Sequence, residues 1–447
     1  MAGRAISRKS FCCFCGLKYA LFLIFCSLFF RFSTATDTIT PNQNVTDGKT
    51  LLSAQNVFEL GFFSPDGSPN KPYLGIWYYG IQPRTVVWVA NREKPVLDYP
   101  GVFAMRNNGE LQVMDGKGII LWSSADSTAK SFKGLPAKAK LMDDGNLVLQ
   151  GGDIQWESFL QESNTFLPGM NMENKILRAW KSNSDPAPGD FTFRVNKGWN
   201  QFMIHNVSDL YWESGWSKNS MNFSEVPFIL PSFIFPVKNF THFLKMNFPE
   251  TDLRTILNDL KTATLVINPA GKIVFQRWEK VWGWVPIWKA PDPEDKCGSY
   301  QVCGDYGICD NDRKESKCKC LKGFVPNSTE QWESGNYSGG CRRKAPSCSK
   351  NDYFVNISVA KIWYPDDPFP AKSDVECQNE CKRKCCNAYF FEAVSGRLGE
   401  LPTCWAWSST AILKDLKIKN NDEEGGNLWV RVQGNTDTSG LPSNITQ

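Results

Sequence analysis

Short apolar runs rich in Val, Ile, Phe and Trp dominate the first 290 residues. Turn pairs cut them at close intervals: Asp66-Gly67, Asn108-Gly109, Asp115-Gly116 and Asp144-Gly145. Runs of this length bounded by such turns predict β-strands. Helical periodicity is confined to Asp252–Lys261 and Asp374–Lys384. The pattern therefore predicts a mainly β protein.

Within it lies an internal repeat. Trp88, Trp122 and Trp156 are each 34 residues apart, and Asn108-Gly-Glu-Leu-Gln-Val113 echoes Asp144-Gly-Asn-Leu-Val-Leu149. One small sheet cannot bury its own apolar face, so such units predict a pseudo-symmetric β architecture in which each gives a tryptophan to a shared core. Trp278, Trp282, Trp284 and Trp288 form a second cluster. If extended, the last three share a strand face, though Pro286 interrupts the run. That face is either core or an exposed recognition or self-association patch.

Cysteine placement divides the chain. Of 16 cysteines, 12 fall between Cys297 and Cys404 and none between Cys26 and Cys297. The crowded block implies small disulfide-stapled units and an oxidising compartment. The N-terminus agrees with export: Arg4, Arg8, Lys9 and Lys18, an apolar run Tyr19–Phe30 and then Ser33-Thr34-Ala35 read as a secretory signal peptide. Removing it takes five of the 50 Lys and Arg, leaving 45 against 46 Asp and Glu. A near-neutral mature chain carries no nucleic-acid footprint. Asn44, Asn206, Asn222, Asn239, Asn327, Asn336, Asn356 and Asn444 each open an N-glycosylation sequon. The most apolar later stretch, Val226–Val237, is short and holds three prolines, so a secreted mature chain with no membrane span is expected.

The run Val87-Trp-Val-Ala-Asn-Arg-Glu-Lys-Pro-Val96 resembles the signature of plant bulb-type lectin domains, in the form found in S-locus glycoproteins and S-domain (G-type lectin) receptor-like kinases. Further matches follow in order: Asp144-Gly-Asn-Leu-Val148, Trp156-Glu-Ser-Phe159, Leu167-Pro-Gly-Met170, Ser184-Asp-Pro-Ala-Pro-Gly-Asp-Phe191, Cys303-Gly-Asp-Tyr-Gly-Ile-Cys309 and Gly339-Gly-Cys-Arg342. The resemblance implies a signal peptide (1–35), a bulb-lectin β-prism (36–155) and a second lectin-like S-locus domain (156–290). An EGF-like module (293–342), a PAN/apple α+β module (348–432) and a polar tail (433–447) complete it. Cys297, Cys303, Cys309, Cys318, Cys320 and Cys341 have the EGF arrangement; spacing alone leaves their connectivity open. The resemblance implies 297–309, 303–318 and 320–341. For Cys348, Cys377, Cys381, Cys385, Cys386 and Cys404 it implies 377–404 and 381–386, leaving 385 for 348. The family has one residue between the clustered cysteines; here Cys385 and Cys386 are adjacent.

The family's sugar pocket is a strand motif, Gln-x-Asp-x-Asn-x-Val-x-Tyr, whose polar side chains share a face by alternation. The best copy here reads Met142, Asp144, Asn146, Val148, Gln150, so the Gln and the Tyr are lost. The preceding copy, Arg106, Asn108, Glu110, Gln112, Met114, keeps nothing. With each neutral hydrogen bond worth about 1 kcal/mol net, losing two polar contacts of four removes most affinity. Asp144-Gly-Asn146 reads as a scaffold turn carrying a degenerate site. The chain has two histidines, His205 and His242, with no Gly-x-Ser-x-Gly elbow, no P-loop, no His-Arg-Asp and no Asp-Phe-Gly. No catalytic group, metal or cofactor is expected. Asp292, Glu294 and Asp295 before Cys297 read as an acidic linker rather than a calcium site.

The expected function is that of a secreted, non-catalytic recognition glycoprotein. It would bind a small cysteine-rich peptide at the plant cell surface, in the apoplast, in pollen recognition or defence. A homodimer or a heterodimer with a related receptor kinase fits the resemblance. Two other readings stand: the ectodomain of a truncated receptor serine/threonine kinase, and a mannose-type lectin with a glycan ligand.

Overall fold

The computed structural model describes residues 36–433 apart from 99, 128–136, 174, 196–200, 215–225, 228, 235–259, 261, 293–294, 296, 299–301, 311–317, 345–347, 350, 363–367, 394–401, 409–411, 415 and 419–425. The expected leader, the sequons at Asn222, Asn239 and Asn444, and almost all of the expected helix at 252–261 lie outside the described residues.

The first 120 or so described residues form a prism of three antiparallel four-stranded sheets. One holds Leu51–Leu52, Phe58–Phe63, Tyr73–Tyr78 and Val86–Val89. The next holds Asn44–Thr46, Val102–Met105, Leu111–Met114 and Ile120–Ser123, and the third holds Thr38–Ile39, Lys138–Leu141, Leu147–Gly151 and Asp153–Glu157. The last strand of each sheet carries one repeat tryptophan. Trp88, Trp122 and Trp156 meet with ring centroids 5.6–5.9 Å apart, all edge-on. The 34-residue period is therefore a packing period: each ring supplies the partner the others lack.

The repeat has a third member that the sequence pattern alone misses. Asn56, Gly109 and Gly145 each adopt positive φ (56°, 86° and 91°) and donate N–H to the carbonyls of Ser53, Arg106 and Met142. Asn tolerates the left-handed region better than other side chains, so Asn56 stands where the other two copies use Gly. At Gly145 a Cβ would lie 2.9 Å from Leu167.

A second unit packs directly on the prism. Leu177–Ser182, Asp185–Val195, Phe202–Asn206 and Asp209–Glu213 form one antiparallel sheet. Thr165–Phe166, Ala263–Ile267, Ile273–Glu279 and Gly283–Ala290 form another, and a short helix, Ile229–Ile234, presents Leu230 and Ile234 to the interior. One continuous apolar core runs from Ile39 to Ala290 across both units.

The cysteine-rich remainder is built around one sheet of eight strands. Tyr353–Lys361 and Gly426–Val432 pair at its centre, flanked by Ala388–Glu392, Thr403–Trp407 and Phe369–Pro370 on one side. On the other side Leu416–Ile418 pairs in parallel with Gly307–Cys309, whose hairpin partner is Cys318–Cys320. The two cysteine sets thus share a sheet rather than forming separate bodies. The helix Asp374–Arg383 matches the periodicity at 374–384. Ser373 caps it, accepting from the Glu376 N–H at 3.2 Å, with acids in the first turn and bases in the last, as the helix dipole favours. Cys377 and Cys381, one turn apart, lie on its buried face.

Candidate ligand-binding site

The degenerate lectin motif is used up by the scaffold. Alternation along one strand requires Asp144 and Asn146 to face the same way, but residues 142–146 are a turn and the strand begins only at Leu147. Asp144 is exposed, and its Oδ1 accepts from the Asn146 N–H at 2.9 Å. Asn146 is buried: its Nδ2 donates to Glu157 Oε2 (3.0 Å), and its Oδ1 accepts from Ser158 Oγ and the Phe159 N–H, both at 3.1 Å. Val148 is buried as well, Met142 is exposed and Gln150 half-buried. No polar row on one face survives. In the preceding copy, Arg106, Asn108, Glu110, Gln112 and Ser123 bond to one another. The Glu110 carboxylate there stays ionised more readily than usual: burial opposes this, and hydrogen bonds from Ser123, Gln112 and Asn108 outweigh it.

A cleft of about 370 Å³ opens instead where the prism meets the second unit. The signature run 88–94 lines it, facing Leu121, Trp122, Gln161, Glu162 and Pro188. Its frame is held by Arg92, which is only 7% exposed. Arg92 donates from Nε to Pro186 O (2.8 Å), from Nη2 to Arg178 O (3.2 Å) and Ala179 O (3.0 Å), and from Nη1 to Glu162 Oε1 (2.9 Å). Burial pulls the guanidinium pKa below its ordinary value. Only a planar five-donor group can satisfy carbonyls on one side and a carboxylate on the other. The opposite wall is fixed by Lys175, whose Nζ donates to Phe159 O and Gln161 O, both at 2.7 Å. Burial lowers that ammonium to about 8.

The second tryptophan cluster splits. In the 283–290 strand the register passes from Gln276↔Pro286 to Phe275↔Trp288, so two residues oppose one. Such a bulge puts Trp288 on the opposite face from Trp284, which corrects the single-face expectation. Trp288 packs on Trp212 at 5.9 Å; Trp284 packs on Trp278 and Tyr78 and donates from Nε1 to Thr85 Oγ1 at 2.8 Å. Trp282 sits in the three-residue loop at the hairpin tip, 77% exposed, beside Val281 at 82%. Trp284 and Trp288 are half-buried against the core, Trp278 is half-buried against Trp284, and Trp282 is at the surface.

The sulfurs are joined as Cys297–Cys309, Cys303–Cys318, Cys320–Cys341, Cys348–Cys385, Cys377–Cys404 and Cys381–Cys386. Adjacent Cys385 and Cys386 take different partners, and Cys385 between the two bridges stands at positive φ (56°). Sequence reading missed Arg431 as their organiser. Buried, it donates to Cys386 O and Cys381 O at 2.8 Å and lies over the Phe354 ring. Cys303, Cys309 and Cys318 cluster closely enough for a metal, but each is spent in a disulfide and offers no thiolate. Asp295, in the acidic linker, accepts from the Cys297 N–H and pairs with Lys417. Asn44, Asn206, Asn327, Asn336 and Asn356 are all exposed. No described helix is long and apolar enough to cross a membrane.

Comparison with known proteins places this architecture. The D-mannose binding lectin domain matches residues 85–184 and the S-locus glycoprotein domain matches residues 211–328. One G-type lectin S-receptor-like serine/threonine-protein kinase of Arabidopsis thaliana is 39% identical over 407 residues, covering 87% of this chain and 46% of that protein. Another is 31% identical over 428 residues, covering 91% and 50%. The chain thus spans about half the length of the curated relatives it matches. Among solved structures, the mannose-specific agglutinin of snowdrop (Galanthus nivalis) bulbs, complexed with methyl-α-D-mannoside, matches 27% of this chain and 93% of its own, at 17% identity and a TM-score of 0.20. Through its two domains and these relatives, the chain belongs with the S-locus glycoproteins and G-type lectin S-receptor-like proteins.

Proposed function

We propose that this chain is a non-catalytic extracellular recognition glycoprotein whose lectin-like half takes a protein ligand, of the class of small cysteine-rich peptides. One observation carries the reading: the hairpin tip with Val281 and Trp282 exposed, backed by Trp278 and Trp284 and tied to the prism at Thr85. An exposed tryptophan with an apolar neighbour is the kind of residue on which protein interfaces concentrate binding energy. The exposed sequons and the disulfides suit an oxidising, extracellular setting such as the apoplast. The plant setting, pollen recognition or defence, rests on the resemblance. On that resemblance the cysteine-rich units are EGF-like and PAN/apple-like modules. Their shared sheet would stiffen the molecule and offer a surface for a homodimer or for a related receptor kinase.

That the chain aligns with half of kinase relatives favours a second reading, a receptor ectodomain; sequencing the transcript beyond the last codon separates the two. A mannose-type lectin acting at Asp144, Asn146 and Val148 is disfavoured, because Asn146 is engaged within the scaffold.

The test uses residues 36–447 secreted from a plant or insect host and a panel of synthetic cysteine-rich peptides in titration calorimetry. At least one peptide is expected to bind, and W282A to weaken it at least tenfold. No binding up to about 100 μM peptide, or binding indifferent to W282A, overturns the reading.

A further inference from the structure

One of the disulfides differs from the rest in three independent ways. The first is access. Cys348 is exposed and its partner Cys385 half-buried, whereas Cys320 is half-buried and every other bridged cysteine is buried. The second is backbone. Cys348 and Cys385 both stand at positive φ, 80° and 56°, and no other described cysteine does. A residue with a Cβ is strained in that region, so the chain is held in an unfavourable conformation at both ends of one bond. The third is charge. Arg431 Nη1 lies 3.8 Å from Cys348 Sγ. Arg343 and Arg431 approach one carboxylate, Asp352, at 3.7 and 3.8 Å, which leaves one positive charge in excess. Lys382, Arg383 and Lys384 lead directly into Cys385, and Glu380 pairs with the last two of them.

We propose that Cys348–Cys385 is a modification site. A small anionic thiol, of the class of cysteine-containing peptides with free carboxylates, opens the bridge and stays on Cys348 as a mixed disulfide.

The step balances without a further reagent. The thiolate of the incoming molecule attacks Cys348 Sγ, the sulfur open to solvent. A new S–S bond forms there as the bond to Cys385 breaks. The electron pair leaves on Cys385 Sγ, which takes up the proton that the attacking thiol released. The incoming thiol is oxidised and the bridge gives up one reduced sulfur. The excess positive charge draws in an anionic attacker and favours negative charge on sulfur as the exchange proceeds. Opening the bridge also frees two residues from the left-handed region.

The neighbouring bridges do not share these features. Cys377, Cys381, Cys386 and Cys404 are packed in one buried cluster with Tyr389 and Ala371. Arg431 holds Cys381 O and Cys386 O at 2.8 Å whether or not Cys348 is bridged. The helix Asp374–Arg383 therefore stays docked on its sheet after the exchange. Of the adjacent pair, Cys385 belongs to the reactive bridge and Cys386 to the protected one.

The experiment incubates secreted 36–447 with reduced glutathione, quenches in acid at increasing times, blocks free thiols with a maleimide and maps the peptides by mass spectrometry. The first species to appear should carry glutathione on Cys348 and maleimide on Cys385, about tenfold or more ahead of change at any other cysteine. Cysteamine, a cationic thiol, should react at least about threefold more slowly at equal thiolate concentration. The double change C348S/C385S should remove the fast adduct and keep the hydrogen-exchange protection of 353–361. Should that variant misfold, the order of events in the wild-type map decides by itself. A first adduct at any other cysteine, two or more bridges opening together, no adduct short of unfolding, or cysteamine reacting as fast as glutathione overturns the proposal.

Discussion

Arg92 joins two units with one side chain. Its guanidinium satisfies three carbonyls of the second unit and the carboxylate of Glu162, so removing it leaves buried acceptors without donors. R92A should destabilise the lectin-like half by about 3 kcal/mol in urea denaturation, and R92K should recover less than half of that, because an ammonium cannot span the same acceptors. A loss below about 1 kcal/mol in R92A would show that the junction is held by its apolar contacts alone. Lys175 makes a second prediction, in pH. Burial holds its folded pKa near 8, below the ordinary 10.5. Between those values the unfolded chain carries a proton that the folded chain has released, so stability gains with rising pH across that window, and the burial cost is fully present below it. The stability difference between wild type and K175M should therefore shift in favour of wild type from pH 8 to 10.5. A flat difference would place the lysine in solvent. The signature run showed itself in the sequence, but the role of Arg92 as a strut did not, because its partners lie 70–94 residues away.

At the scale of elements, the turns set the prism. Gly145 combines positive φ with a neighbour 2.9 Å from any Cβ, so G145A meets both strain and a clash with Leu167. It should cost about 2 kcal/mol or more, while N56G, which relaxes the equivalent turn, should change stability by less than about 1 kcal/mol. Thermal melts of the two variants check the pair, and equal losses would argue against equivalent turns. The strands, their turns and the helix at Asp374–Arg383 were legible because their cues are local: apolar alternation, Asp-Gly and Asn-Gly pairs, and cysteines spaced one helical turn apart. The bulge opposite Gln276 was not. It moves Trp288 to the other face, and nothing in the run 284–288 except Pro286 hints at it. The turn at Asp144-Gly145 was legible as a scaffold turn, but that it leaves Asp144 exposed and Asn146 buried was not.

Across the whole molecule, two different forces hold two different halves. Residues 36–290 contain no cysteine and share one apolar core, whereas every described disulfide lies from Cys297 onward. Disulfides stabilise mainly by restricting the unfolded chain, typically by 2–4 kcal/mol each, and small units depend on them most. Mild reductant should thus unfold the region beyond Cys297 while leaving the lectin-like half folded. Hydrogen exchange read by mass spectrometry would show loss of protection in 353–361 and 426–432 with 58–63 and 73–78 still protected. Parallel loss in both regions would mean that the halves fold as one unit. The pairing of Ile308 with Leu416 predicts that both cysteine sets lose protection together, since they share a sheet.

The sequence by itself determined the β class, the 34-residue repeat and the division between a core-stabilised and a disulfide-stabilised half. Each follows from residue type and spacing; the loss of the sugar motif at Met142 and Gln150 is what the family resemblance implies. The tertiary structure decided what distance along the chain hides: the meeting of three tryptophans, the single core shared by two units, the burial of Asn146, and the cleft that leaves Trp122 partly open. Those outcomes depend on which surfaces meet once the strands have paired, and contacts between residues tens of positions apart leave no periodic trace in the chain.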